Sequence, residues 1–199
     1  REQECMRQTL MNTTLETVAS NLRFVDRVAV FEVAHVYLPR EGELLPEEPR
    51  RLSIALCGPR ESRSWLTNES PDMDFYDLKG VVEALCDHLN VEGTDFEPTD
   101  HPTFFPGRVA SLAVAGETVG VLGVVHPTVA EAFGIDGRQV CLAELDLERL
   151  LAAAQTVEIQ RPVSRMPVLK EDLAVVVPED VPSDEVGRAI REAGGELLV

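Results

Sequence analysis

Residues 74–83 read Asp74-Phe75-Tyr76-Asp77-Leu78-Lys79-Gly80-Val81-Val82-Glu83. The Asp-Leu-Lys-Gly step opens a helix over Asp77–Leu89. Its apolar stripe is Leu78, Val82, Leu85 and Leu89, at intervals of four, three and four residues, the repeat of a helix with one face on a core.

Upstream of it, Leu10 to Leu22 places Met11, Leu15, Val18 and Leu22 on one helical face. Val28 to Tyr37 is rich in β-branched and aromatic residues and reads as a strand that Pro39 ends. A charged loop with Pro46 and Pro49 leads to the alternating strand Leu52–Leu56, expected antiparallel to the first. Gly58 to Asp74 is a polar loop that Trp65 is expected to pin. Downstream, Pro98, Pro102 and Pro106 mark a loop crossing, and Val109–Ala115 and Thr118–Val125 are hairpin arms around Gly116-Glu117. His126-Pro127-Thr128 starts a short helix, with His126 as its cap and Gly134 past its end. Val140–Leu145 is a further strand, and Asp146 caps a helix over Leu147–Ala154.

These elements predict an α+β fold over residues 1–155, a mainly antiparallel sheet with flanking helices, followed by a linker at 156–165. Residues 166–199 read as a second, incomplete β-α-β unit: strand Asp172–Val177, helix Asp184–Ala193 between Pro182-Ser183 and Gly194-Gly195, then a strand starting at Leu197-Leu198-Val199.

The chain of 199 residues is 44% hydrophobic, which suits a globular protein with a sizeable core. Its apolar runs are broken well before the roughly 18 residues that a membrane span needs. No basic segment followed by an apolar one marks a secretory signal, so a cytoplasmic protein without membrane association is expected. The opening at Arg1 and the stop at Val199 read as a piece of a longer protein. Cys5, Cys57, Cys86 and Cys141 lie far apart, form no metal-ligand spacing and are expected as buried reduced thiols. The net charge of −17 argues against a broad phosphate-binding surface, which needs clustered Lys and Arg. Residues 161–199 hold five basic and eight acidic residues, against thirteen and twenty-seven before them, so the tail is the less repulsive part.

Six segments in order resemble the phenylalanyl-tRNA synthetase β subunit. Met6-Arg7-Gln8-Thr9-Leu10 resembles its M-R-x-S-L, and Phe31-Glu32-Val33-Ala34-His35-Val36-Tyr37 its F-E-I-G-R-V-F, with Ala34-His35 in place of Gly-Arg. Asp77-Leu78-Lys79-Gly80 matches D-L-K-G. Phe105-Pro106-Gly107-Arg108-Val109-Ala110 resembles H-P-G-R-S-A. Gly120 to Pro127 resembles G-x-L-G-x-L-H-P, and Glu144-Leu145-Asp146-Leu147 matches E-L-D-L. In the tail, Met166-Pro167-Val168 and Asp172–Val177 resemble the opening of the family's ferredoxin-like anticodon-binding domain. The resemblance implies a class II synthetase-like module at 1–155 and a truncated ferredoxin-like unit at 166–199. It further implies a part of phenylalanine–tRNA ligase that packs on the α subunit of an α₂β₂ enzyme, which joins phenylalanine to its tRNA with ATP and Mg²⁺.

The same resemblance implies a silent catalytic site, with no catalytic, cofactor or metal residue in this piece. The α-subunit pattern V-Y-R is here Val36-Tyr37-Leu38, so the motif 2 cation is absent. At motif 3 Arg149 stays, but the two glycines become Glu144 and Asp146, carboxylates that repel ATP and occupy its volume. A stand-alone nucleotide-binding protein is the alternative, with Arg149 as its support.

Other candidates have plain structural readings. Lys79 fits a solvated first-turn residue, Arg108 a local salt bridge, and His126 a helix cap. His35, His88 and His101 have no nucleophile or acid at a suggestive spacing, and Asp72, Asp74 and Asp77 lack the Gly and terminal Glu of a calcium loop. Arg161, Arg165 and Lys170 form the tail's basic cluster and are the candidate tRNA contacts, weak and salt-sensitive without an aromatic platform. Met11, Leu15 and Leu22 are the candidate contacts with the α subunit.

Overall fold

Leu52, Ile54 and Leu56 alternate along a strand with Ser53, Ala55 and Cys57, and both sets are buried, so this strand has helices on both of its faces. A computed structural model describes residues 5–67, 69–156, 167–195 and 198. The chain divides into two units, Arg1–Ile159 and Gln160–Val199.

In the first unit six strands form one sheet: β1 (Val28–His35), β2 (Arg50–Cys57), β3 (Thr94–Pro98), β4 (Phe104–Val114), β5 (Glu117–Val125) and β6 (Val140–Asp146). The order is β1-β2-β6-β5-β4-β3, and every neighbouring pair is antiparallel. The fold is therefore α+β, with β1 and β3 as its edges. At Gly120 on β5 any Cβ would lie 2.4 Å from the Leu145 side chain of β6, which is why a glycine sits inside this strand.

The helices α2 (Phe75–His88) and α4 (Leu147–Ala153) cover one sheet face. Leu78, Val82, Cys86 and Leu150 pack there on Leu52, Ile54, Leu112, Leu122, Ala143 and Leu145. On the opposite face α1 (Met11–Asn21) and α3 (Pro127–Ala132) bury Met11, Leu15, Val18 and Ala130 against Ala55, Cys57, Val109, Val140 and Leu142.

Several boundaries move. The helix expected from Asp77 starts at Phe75, because Asp74 closes a capping box: its side chain accepts from the Tyr76 and Asp77 amides, and Asp77 accepts from the Asp74 amide at 2.8 Å. The hairpin turn is Ala115-Gly116, one residue earlier than expected. Both residues have positive φ (51° and 82°), the type I′ geometry that matches strand twist. The proline-marked crossing hides an edge strand, β3, whose sequence Thr-Asp-Phe-Glu-Pro lacks the usual β-branched pattern. Trp65 does not pin its loop: it is 89% exposed.

In the second unit α5 (Ser183–Gly194) stands close to its expected limits. The expected strand Asp172–Val177 is not one. A strand needs ladder partners for its amides and carbonyls, and among the described residues none lies beside this exposed segment. Leu197 and Val199 of the expected second strand, Met166 and most of the linker lie outside the described residues.

Candidate functional site

Glu32 of β1 registers with Ser53 of β2, and Ser53 with Glu144 of β6. Register partners share a face, so two carboxylates and a hydroxyl form one polar row across three strands. The segment 7–14 closes over this row. Thr9 Oγ1 and the Leu10 amide both donate to Glu144 Oε2 at 2.6 Å. Arg7 donates to Glu32 Oε1 at 2.7 Å and to the His35 carbonyl at 3.1 Å. Thr13 Oγ1 donates to Glu32 Oε2 at 2.9 Å, and Thr14 Oγ1 to Ser53 Oγ at 2.9 Å in a fully buried contact. Hydrogen bonds to charged acceptors in such positions contribute about 1.5–3 kcal/mol each. The chain thus fills its own polar row.

The residues expected at the silenced motifs are tied up nearby. Asp146 caps α4 by accepting from the Arg149 amide at 3.1 Å, and its other oxygen pairs with Arg51 at 3.1 Å and Arg149 at 3.6 Å. The Arg149 guanidinium also donates to the Thr118 carbonyl at 2.9 Å, so nothing favours its use on a nucleotide. Leu38 sits in an isolated bridge with Glu47. A row lined by two carboxylates, with Arg7, Arg51 and Arg149 already paired to carboxylates, does not fit ATP and its Mg²⁺.

The other singled-out residues scatter. Lys79 pairs with Glu83 and lies 4.5 Å over the Phe96 ring, so it is half-buried rather than solvated. Arg108 makes a cation–π contact with Phe105 at 5.3 Å and, among the described residues, no salt bridge. His126 caps α3, its Nδ1 accepting from the Thr128 amide at 3.2 Å, and stacks on Phe105. His35 and His88 bond to backbone carbonyls. His101 and His126 line an open groove of about 400 Å³ with Asp100, Pro102, Phe104, Pro106 and Val109. Among the described residues, no group of three or more His, Cys, Asp or Glu could hold a metal ion, and no helix is long and apolar enough to cross a membrane.

Of the candidate tRNA contacts, Lys170 is exposed, while Arg161 and Arg165 lie outside the described residues. Among the candidate interface residues Met11 and Leu15 are buried in this chain's own core, and Leu22 is half-buried beside it. Their side chains are engaged within the chain, because the stripe that would face a partner is the one that roofs β2 and β6.

The arginine partner of the α2 cap escaped the sequence reading. Arg60 pairs with Asp77 at 2.8 Å and approaches Asp74 at 3.7 Å, and this hydrogen-bonded cation holds the Asp77 carboxyl below its ordinary range. The Asp-x-x-Asp spacing at 74 and 77 was the available signal for the cap, though not for its arginine. Cys57, Cys86 and Cys141 are buried, and burial pushes all three thiols up, Cys141 to about 12. Cys5 is exposed, against expectation.

Known proteins resemble this chain along nearly its whole length. The chain is 42% identical over 198 residues to the phenylalanine–tRNA ligase beta subunit of Symbiobacterium thermophilum, covering 99% of this chain and 22% of that protein. It is 38% identical over 191 residues to that of Geobacter sulfurreducens (95% and 24%), and 34% identical over 199 residues to that of Bacillus subtilis (99% and 24%). The chain therefore spans about a quarter of the length of these curated relatives. Residues 1–147 match the family described as the phenylalanyl tRNA synthetase beta chain CLM domain, and the chain belongs to that family.

Proposed function

We propose that this chain is a non-catalytic, class II synthetase-like piece of a phenylalanine–tRNA ligase β subunit. It packs on the α subunit of an α₂β₂ enzyme that attaches phenylalanine to its tRNA with ATP and Mg²⁺. Residues 1–155 form the synthetase-like module, 156–165 a linker and 166–199 the start of a ferredoxin-like anticodon-binding domain. Arg161, Arg165 and Lys170 make weak tRNA contacts, and the chain works in the cytoplasm with the rest of the enzyme.

The observation that carries the reading is the occupied polar row. Where a working site needs an open sheet face and cations for phosphates, Glu144 and Glu32 are bonded to Thr9, Leu10, Arg7 and Thr13. Calorimetric titration with ATP and Mg²⁺ tests the silent site: no heat at sub-millimolar nucleotide is expected, and measurable binding overturns it. Size-exclusion chromatography with light scattering, alone and with the α subunit, tests the assembly. Co-elution supports the scaffold role; two independent peaks count against this module as the platform.

A further inference from the structure

The link from α3 to β6 reads Ile135-Asp136-Gly137-Arg138 and holds the one Asp-Gly step of this chain, which has no Asn-Gly step. Its flanks are fixed. Ile135 is 2% exposed, and its amide donates to the Ala130 carbonyl at 2.9 Å. Arg138 donates to the Asp26 carbonyl at 2.9 Å and pairs with the Asp26 carboxylate at 3.1 Å. Val140 is buried where β6 begins.

Between these anchors Asp136 and Gly137 are both exposed. Among the described residues the Asp136 carboxyl has neither a hydrogen bond nor an ion pair, and the Gly137 amide donates to no acceptor. A Cβ built on Gly137, whose φ is +67°, would meet nothing within 4 Å. A carboxyl therefore precedes an unbonded amide that no side chain shields, on a backbone that glycine leaves free to rotate. Other aspartates lack one of these conditions. The amide after Asp72 donates to the Gly58 carbonyl at 2.8 Å, the amide after Asp77 donates to the Asp74 carbonyl at 3.3 Å, and Asp100 is followed by the ring of His101.

We propose that Asp136 is a modification site, where ring closure onto Gly137 converts the aspartate to isoaspartate and creates a substrate for an isoaspartyl carboxyl methyltransferase. The Gly137 nitrogen attacks Asp136 Cγ. A C–N bond forms, and the hydroxyl of the protonated carboxyl leaves as water with the amide proton. Water then opens the cyclic imide. Attack at Cγ breaks the new C–N bond and returns aspartate. Attack at the backbone carbonyl breaks the original peptide bond, so the chain runs on through Cγ and the α-carboxylate is left free. Nothing is oxidised or reduced, and the composition is unchanged. The free α-carboxylate is the group that accepts a methyl from the sulfonium of S-adenosylmethionine. The extra backbone methylene lies between two anchors, so it loosens the hold of Arg138 on Asp26.

The test uses the intact protein that carries this chain, aged in neutral buffer and then treated with an isoaspartyl methyltransferase and labelled S-adenosylmethionine. Cleavage after arginine releases peptide 109–138, in which Asp136 is the sole aspartate and no asparagine occurs, so isoaspartate found there has one source. This peptide is expected to gain label with age and to split into two chromatographic peaks of equal mass. Asp136→Glu, whose longer side chain disfavours ring closure, is expected to stay at background. The same peptide aged free in solution gives the unconstrained rate, and the folded protein is expected to react comparably. No label in the aged protein overturns the proposal; if the free peptide is labelled meanwhile, the fold shields the loop. Equal labelling of wild type and Asp136→Glu also overturns it. The isomerised fraction is expected to melt below fresh protein, and equal melting would overturn the loosening at Arg138.

Discussion

The Thr14 hydroxyl donates to Ser53 Oγ across 2.9 Å, and both residues are buried between α1 and β2. This bond sits at the centre of the row that Glu32 and Glu144 flank, so it reports directly on whether segment 7–14 seals the sheet. Thr14→Val leaves the Ser53 hydroxyl buried without a partner, and Ser53→Ala does the same to Thr14. Each change is expected to cost about 1–3 kcal/mol. The double variant replaces both groups by apolar ones and is expected to cost clearly less than the sum. Urea unfolding midpoints of the four proteins measure this; additive single effects would show that the two hydroxyls do not depend on each other.

Leu15 is 1% exposed and lies in the core formed by α1 with β2 and β6. A Glu there buries a carboxylate without a cation. Leu15→Glu is expected to abolish the cooperative melt, and Leu15→Ala to cost about 2–5 kcal/mol. A folded, cooperatively melting Leu15→Glu protein that had lost only its partner would return this face of α1 to the interface.

The residues that could be read in advance are those whose partners are close in sequence. The stripe of α2, the Asp146 and His126 caps and the hairpin follow from local spacing, and the structure places each within a few residues of its expected position. What stayed hidden depends on distant pairing. Glu144 meets Thr9 from 135 residues away, and only the sheet order brings them together. Residues 172–177 have the composition of a strand, but composition cannot supply the neighbour that makes one. The stripe on α1 was correctly seen as apolar, yet periodicity alone does not say whether such a face meets its own sheet or another chain.

Asp77 joins two devices, the capping box of α2 and the ion pair with Arg60. Hydrogen bonding to the arginine and to the Asp74 amide lowers its carboxyl below the ordinary range. A carboxylate that is more acidic in the folded state stabilises the fold above its unfolded value, about 3.9, and loses that contribution as pH falls through the folded value. Asp77→Ala is therefore expected to cost about 1 kcal/mol near neutrality, with the gap to wild type narrowing below about pH 4. Denaturant melts at several pH values would show it. A gap that stays constant down to pH 3 would mean that the charge of Asp77 is not the source.

The thiols give a direct reading of the core. Cys57 and Cys141 lie on β2 and β6, Cys86 on the buried face of α2, and only Cys5 reaches solvent. Removing a thiol from water disfavours the thiolate, and beside Cys141 the carboxylates of Asp74 and Asp77 add repulsion, so its thiol is pushed up to about 12. Since the thiolate is the nucleophile, a disulfide-exchange reagent at pH 8 is expected to modify Cys5 rapidly. Cys57, Cys86 and Cys141 should react only when denaturant is added. Their release should follow the same transition as the loss of helix signal, because α2 and both strands share one core. Fast reaction of Cys86 in the native protein, with Cys57 and Cys141 still protected, would mean that α2 detaches from the sheet on its own. The D-L-K-G helix would then be a mobile cover rather than part of the unit that folds together.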